Sequence, residues 1–138
     1  MVIVDTSAWV EYLRRTESAF DLFLDDAVRA GRPIATPASV VMELLAGCRT
    51  EPVAGRLLKL ICRFEILIPD SLGHFQLGAL VYRICRRAGS TIRSMVDCMV
   101  AASAIDAGRP LLARNRDFEM IARHTELELV EPESDCER

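Results

Sequence analysis

Apolar residues recur along this chain with two different periods, and the change between them marks out the elements. Met1-Val2-Ile3-Val4 is a short β-branched run followed by Asp5-Thr6-Ser7 and then an amphipathic stretch, which predicts a buried strand, an acidic turn and a helix over Ala8–Arg15. Helical spacing continues over Ser18–Ala30, where Phe20, Phe23, Leu24 and Val28 form an apolar stripe that ends at Gly31-Arg32-Pro33. Pro33–Thr36 predicts a second strand, and Pro37 suits the first turn of a helix running through Glu43 to about Gly47. Pro52 opens a further helix to Cys62, Phe64–Ile68 predicts a strand stopped by Pro69, and Ser71–Ala88 predicts a long helix closed by Gly89. From Ser94 to Gly108 the chain is apolar almost all round, as expected of a buried helix. A short strand at Pro110–Ala113, a helix over Phe118–His124 and a last strand at Leu127–Val130 complete the pattern.

Strands alternating with helices predict an α/β fold, a single domain over residues 1–130 with a mostly parallel central sheet flanked by helices. Residues 131–138 read as an acidic, frayed tail. Half of the 138 residues are apolar, enough for one core, and no change in composition argues for a second domain. The N-terminus lacks the basic segment of a signal peptide, and no uncharged run reaches the roughly 18 apolar residues of a membrane span. The expectation is a soluble, cytoplasmic protein that makes no membrane contact. Five cysteines, with no C-x-x-C pair and four of them in apolar helical settings, fit reduced core thiols.

The formal charge of −3 argues at first against a nucleic-acid partner, yet residues 131–138 supply all of it; without them basic and acidic residues number 16 each. Lys59 is the sole lysine, so any phosphate recognition falls to arginine, whose planar fork makes bidentate contacts. The densest arginine group is Arg83, Arg86, Arg87 and Arg93, which reads first as a solvated helix face and only second as an RNA contact.

Four acids stand where an α/β protein carries chemistry. Asp5 and Asp117 each follow a predicted strand, and loops beyond the carboxyl ends of parallel strands line the ligand crevice. Glu43 lies mid-helix among small neighbours, and Asp97 lies in the most apolar helix of the chain. Each has a plain alternative: Asp5 as a cap shared with Thr6 or Ser7, Glu43 as a solvent-facing residue, Asp97 as the partner of Ser94 in a capping box, and Asp117 as a first-turn helix residue. If all four meet, each ionised pair at about 5 Å costs roughly 3 kcal/mol at an effective dielectric near 20, and a cation would relieve it. Oxygen ligands alone favour Mg²⁺ or Mn²⁺ over zinc. His74 and His124 have no partner at metal-ligand spacing and are assigned to structure or surface.

Val4-Asp5-Thr6-Ser7-Ala8-Trp9, Met42-Glu43-Leu44-Leu45-Ala46-Gly47, Asp97-Cys98-Met99-Val100-Ala101-Ala102 and Arg114-Asn115-Arg116-Asp117-Phe118 resemble the successive acidic motifs of PIN-domain proteins, above all the VapC toxins of bacterial type II toxin-antitoxin pairs. The resemblance extends from about Val2 to Val130. It implies a Mg²⁺-dependent endoribonuclease acting on an RNA substrate, a homodimer, and inhibition by a small VapB-like antitoxin that usually also binds DNA. It further implies that Asp5, Asp97 and Asp117 ligate metal directly or through water, that Glu43 completes the pocket, and that Thr6 or Ser7 supplies a supporting hydroxyl. The departure is Asn115, where relatives often carry a second aspartate; either Asp117 alone serves, or Asn115 contributes a neutral oxygen. Two rivals remain: a PIN module that binds RNA or protein without cutting, and phosphoryl transfer onto an aspartate, which the sole Lys59 and the lack of a second aspartate two residues after Asp5 disfavour.

Overall fold

The computed structural model describes residues 1–133, which contain seven helices and a four-stranded, wholly parallel sheet. The strands are β1 (Val2–Val4), β2 (Ile34–Pro37), β3 (Glu65–Leu67) and β4 (Leu111–Leu112), in the order β3-β2-β1-β4. Every strand is short, and the inner ones are apolar at nearly every position, as a parallel sheet covered on both faces requires. Ile3 pairs with Ala35 on one side and with Leu111 on the other, so successive neighbours of β1 lie on opposite flanks. At such a switch point the loops leaving the two strands diverge and open a crevice at their carboxyl ends. The loops here begin with Asp5 after β1 and Ala113 after β4.

Helices α1 (Thr6–Arg14), α2 (Ala19–Arg29), α3 (Ala38–Ala46), α4 (Glu51–Ile61), α5 (Leu72–Arg87), α6 (Met95–Ala107) and α7 (Arg116–His124) cover the sheet. Asp5 caps α1, which therefore begins two residues earlier than hydrophobic periodicity predicts, since a capping side chain carries no apolar signal. Pro37 ends β2 and stands in extended backbone just before α3, not in its first turn. Gly108 closes α6 in the left-handed region at φ 61°, a conformation that costs glycine nothing.

Trp9, fully buried, packs its ring 5.3 Å from that of Phe64, and its indole nitrogen donates to Thr36 Oγ1 at 3.1 Å. That bond satisfies the indole donor and the buried Thr36 hydroxyl together, and it ties α1 to β2. The α6 helix contributes Cys98, Val100, Ala101 and Ala104 to the core, as its all-round apolarity implies.

Three sequence expectations are corrected. Leu127–Val130 makes only a single parallel bridge, Leu129 with Leu111, with hydrogen bonds from Leu111 N to Glu128 O and from Val130 N to Leu111 O, and does not extend into a strand. Ser94 makes no capping bond to Asp97 or to any other first-turn residue, so the capping-box alternative for Asp97 does not hold. Cys85 and Cys98 are buried thiols, but Cys62 is exposed and Cys48 only half-buried. An apolar neighbourhood in sequence does not choose which face of a helix turns inward. Cys136 and most of the acidic segment lie outside the described residues.

Candidate functional site

The carboxyl ends of β1 and β4 and the first turns of α6 and α7 meet at one place with Asp5, Asp97 and Asp117, and α3, which packs on α1 and α6, brings Glu43 to the same place. Asp5 is carried there by the backbone, its N–H donating to Leu112 O at 3.0 Å across the β1–β4 junction. Its Oδ2 accepts from the Ser7 hydroxyl at 2.6 Å and from the Ser7 N–H at 3.1 Å. Its Oδ1 is buried without a partner. A buried carboxylate oxygen left unpaired is costly, and it marks a position where an external donor or cation would be favoured. Burial pushes the Asp5 carboxyl above its usual range, against the lowering effect of the Ser7 hydrogen bonds.

Asp97, in the first turn of α6, is also buried. Burial first, and then the charges of Asp5, Asp117 and Glu43 in that order, push its carboxyl up to about 6. That Asp97 feels all three acids is the physical sign of a shared pocket, for charges act on one another strongly only at short range in a poorly screened site. Each acid turns an oxygen toward a neutral donor. Thr6 Oγ1 donates to Glu43 Oε1 at 2.8 Å, Asn115 Nδ2 donates to Asp97 Oδ2 at 3.2 Å, and the Arg93 N–H donates to Asp117 Oδ2 at 3.3 Å. Among the described residues no three acidic, histidine or cysteine side chains converge tightly enough to ligate one ion as they stand. The carboxylates are near enough to raise a pKa and far enough apart to limit their repulsion.

The donor set fits a hard divalent cation. It is made of carboxylate oxygens, it includes the unpartnered Asp5 Oδ1, and its mutual repulsion is of the kind that a 2+ charge offsets. Asp5, Asp97 and Asp117 are the carboxylates that would hold such an ion if they drew together, with Glu43 supplying further negative charge.

Asn115 has two tasks that the sequence does not separate. Its Oδ1 accepts from the Asp117 N–H at 3.0 Å and caps α7, while its Nδ2 holds Asp97. An aspartate here would cap equally well but would place a fifth negative charge in the pocket and lose the donor to Asp97. Asn115→Ala is expected to lower stability by about 1 kcal/mol or somewhat more through the lost cap, measurable as a shift in urea midpoint at unchanged slope.

The predicted arginine group divides. Arg93 joins the site, but through its backbone N–H. Arg83, Arg86 and Arg87 lie on the exposed last turns of α5, where Arg86 stacks 5.5 Å over Tyr82, and none pairs with any of the four acids. Arg114 and Glu11 were missed by the sequence reading. Arg114 N–H donates to Ser7 Oγ at 2.8 Å, and its guanidinium donates to Glu11 Oε1 at 2.6 Å. Two cues bore on them: Glu11 follows Ser7 at the i,i+4 spacing of one helix face, and Arg114 lies just after the β4 strand. Asp21, although buried, is unrelated to the pocket; it accepts from the Glu17 N–H at the start of α2.

Comparison with known proteins agrees with this architecture. Residues 2–124 match the family model of the PIN domain. Ribonuclease VapC11 of Mycobacterium tuberculosis and a VapC ribonuclease of Mycobacterium bovis are each 38% identical over 133 residues, covering 93% of this chain and 96% of theirs. Among solved structures, VapBC2 from Rickettsia felis bound to a promoter DNA fragment superposes with a TM-score of 0.74 at 19% identity, covering 94% of this chain and 98% of that one. FitAcB from Neisseria gonorrhoeae gives 0.75 at 21% identity, covering 96% and 98%. With a family model matched over most of its length and close relatives aligned end to end, the chain belongs to the PIN-domain family, in its VapC branch.

Proposed function

We propose that this protein is an endoribonuclease toxin that hydrolyses RNA phosphodiester bonds with a divalent cation, Mg²⁺ or in its place Mn²⁺, and is restrained by a small VapB-like antitoxin. The observation that carries the reading is the environment of Asp97, buried and raised to about 6 by burial and by Asp5, Asp117 and Glu43. In this reading Asp5, Asp97 and Asp117 hold the ion and Glu43 completes the pocket. A bound Mg²⁺ supplies Lewis acidity at a phosphate oxygen and lowers the pKa of water. The chain's own contribution is placement. Ser7 fixes Asp5 Oδ2 and leaves Oδ1 free, Asn115 orients Asp97, and Thr6 holds Glu43 where its carboxylate can take up the proton that water loses as it attacks phosphorus. The P–O bond opposite the attacking oxygen then breaks, and the leaving oxygen takes up a proton.

Support for a protein partner comes from the relatives and from the surface. The R. felis neighbour is VapBC2 bound to a promoter DNA fragment, which supports a VapB-like partner for this chain, while the proposed homodimer rests on the family resemblance alone. Ile68 and Leu72 are 73% and 71% exposed. Beside them lies a cavity of about 250 Å³ whose lining includes Met42, Phe75 and Met99. An exposed apolar face of this kind is one that association covers. Among the described residues no helix is long and apolar enough to cross a membrane.

The test is incubation of total cellular RNA with the purified protein in Mg²⁺, in Mn²⁺ and in EDTA. Discrete fragments that need the metal are expected. Folded protein that cuts nothing with either metal would refute the nuclease reading in favour of a PIN module that binds without cleaving.

A further inference from the structure

Four carboxylates in one pocket repel a polyanionic substrate, so a nuclease with this site needs beside it a cation that none of those four pairs with. Arg114 meets that requirement. Its backbone is pinned at the pocket wall: its N–H donates to Ser7 Oγ, which itself donates to Asp5, and the next residue, Asn115, holds Asp97. Its side chain, however, pairs with none of the four acids. The guanidinium pairs with Glu11 at 2.6 Å and lies 6.0 Å over the ring of Phe20, with its side chain 56% exposed. Among the described residues its only ion pair is the one with Glu11, although its backbone is hydrogen-bonded to the residue that holds Asp5.

An exposed arginine that is ion-paired on one side and stacked on a ring is pre-oriented, because two contacts restrict a side chain that otherwise has several free rotamers. One N–H of the fork serves Glu11, and the others remain available. Glu11 stands one helical turn beyond Ser7 on α1, so the ion pair ties the positive charge there and not to Asp5. From this the geometry points to Arg114 as the substrate-positioning residue of the site: it takes a backbone phosphate of single-stranded RNA flanking the scissile bond, with Glu11 and Phe20 as the bracket that keeps it extended. The assignment rests on the nuclease reading above. It shifts the RNA contact from the α5 arginines to a residue that shares hydrogen bonds with the catalytic pocket.

The experiment separates binding from cutting. Affinity for a labelled single-stranded RNA of mixed sequence is measured on the Asp97→Asn protein, with Arg114 intact, as Arg114→Gln and as Arg114→Lys, over a series of salt concentrations. Arg114→Gln is expected to weaken binding roughly 5- to 10-fold near 0.1 M salt and to flatten the slope of log K against log salt by about 0.7, one phosphate contact on a single strand. Arg114→Lys is expected to restore the slope, since it restores the charge. On the cleaving protein the same loss should fall mainly on KM, with kcat little changed. An Arg114→Gln protein with the parent's affinity and slope would overturn the assignment, as would weakened binding at an unchanged slope, the mark of a purely structural role. If the Asp97→Asn protein with Arg114 intact does not bind RNA at all, the nuclease reading fails first and this assignment with it.

Discussion

Asp97→Asn is expected to lower the rate of RNA cleavage by more than about 100-fold while leaving the fold intact. Residues that merely orient a metal ligand are worth about 10- to 100-fold, and in the proposed function Asp97 is itself a ligand, so its loss should exceed that range. Asparagine keeps the shape and one oxygen of the side chain and can still accept from Asn115 Nδ2, which holds Asp97 Oδ2 at 3.2 Å. What it removes is the negative charge. Single-turnover cleavage of a defined RNA fragment at saturating Mg²⁺, with the circular dichroism spectrum as the folding control, measures the effect. A folded variant that cleaves within a few-fold of the parent would remove Asp97 from the site. Glu43→Gln is expected to behave in the same direction.

The same substitution is expected to raise stability when metal is withheld. Asp97 has its carboxyl raised from 3.8 to about 6, by burial first and then by Asp5, Asp117 and Glu43. A carboxyl raised in the folded state binds its proton more tightly there than in the unfolded chain. Its stabilising contribution is therefore complete below about 3.8 and is lost as pH rises to about 6 and beyond. The interval between those values corresponds to about 3 kcal/mol at most. In EDTA, Asp97→Asn should thus be more stable than the parent by about 2 to 3 kcal/mol at pH 7.5, and the difference should shrink toward zero near pH 4. Urea unfolding at a series of pH values gives the comparison directly. Equal stabilities at pH 7.5 would show that the acids do not crowd Asp97 in solution. Added Mg²⁺ should close the gap by stabilising the parent preferentially, because a ligand that binds only the folded state adds to its stability. Opposite signs on activity and on metal-free stability are what a site assembled from mutually repelling groups entails.

Arg114 and Asn115 show where local reading stops. The capping power of Asn115 is a local property, visible in its position just ahead of a helix. Its bond to Asp97 is not, because it depends on how α7 docks against α6. Arg114 meets Ser7 across 107 positions of sequence, and no periodicity connects them. Arg83, Arg86 and Arg87 cluster in sequence, and the helix they end presents them to solvent, as a solvated helix face requires.

By itself the sequence determined the elements and the chemistry each could offer. A β-branched run too short for a helix became β1, the acid after it became the cap of α1, a stretch apolar almost all round became the buried α6, and a glycine ended it. These are consequences of side-chain sterics, hydrogen-bonding groups and periodicity within a few residues. The tertiary structure alone decided the strand order, which sets β1 between β2 and β4 and so brings Asp5 beside the start of α7. It also decided that Leu127–Val130 would stop at one bridge, and that the guanidinium of Arg114 would face Glu11 and not the acids. Such outcomes depend on pairing and docking between segments distant in the chain, where burial of the whole core, and no local preference, selects the arrangement.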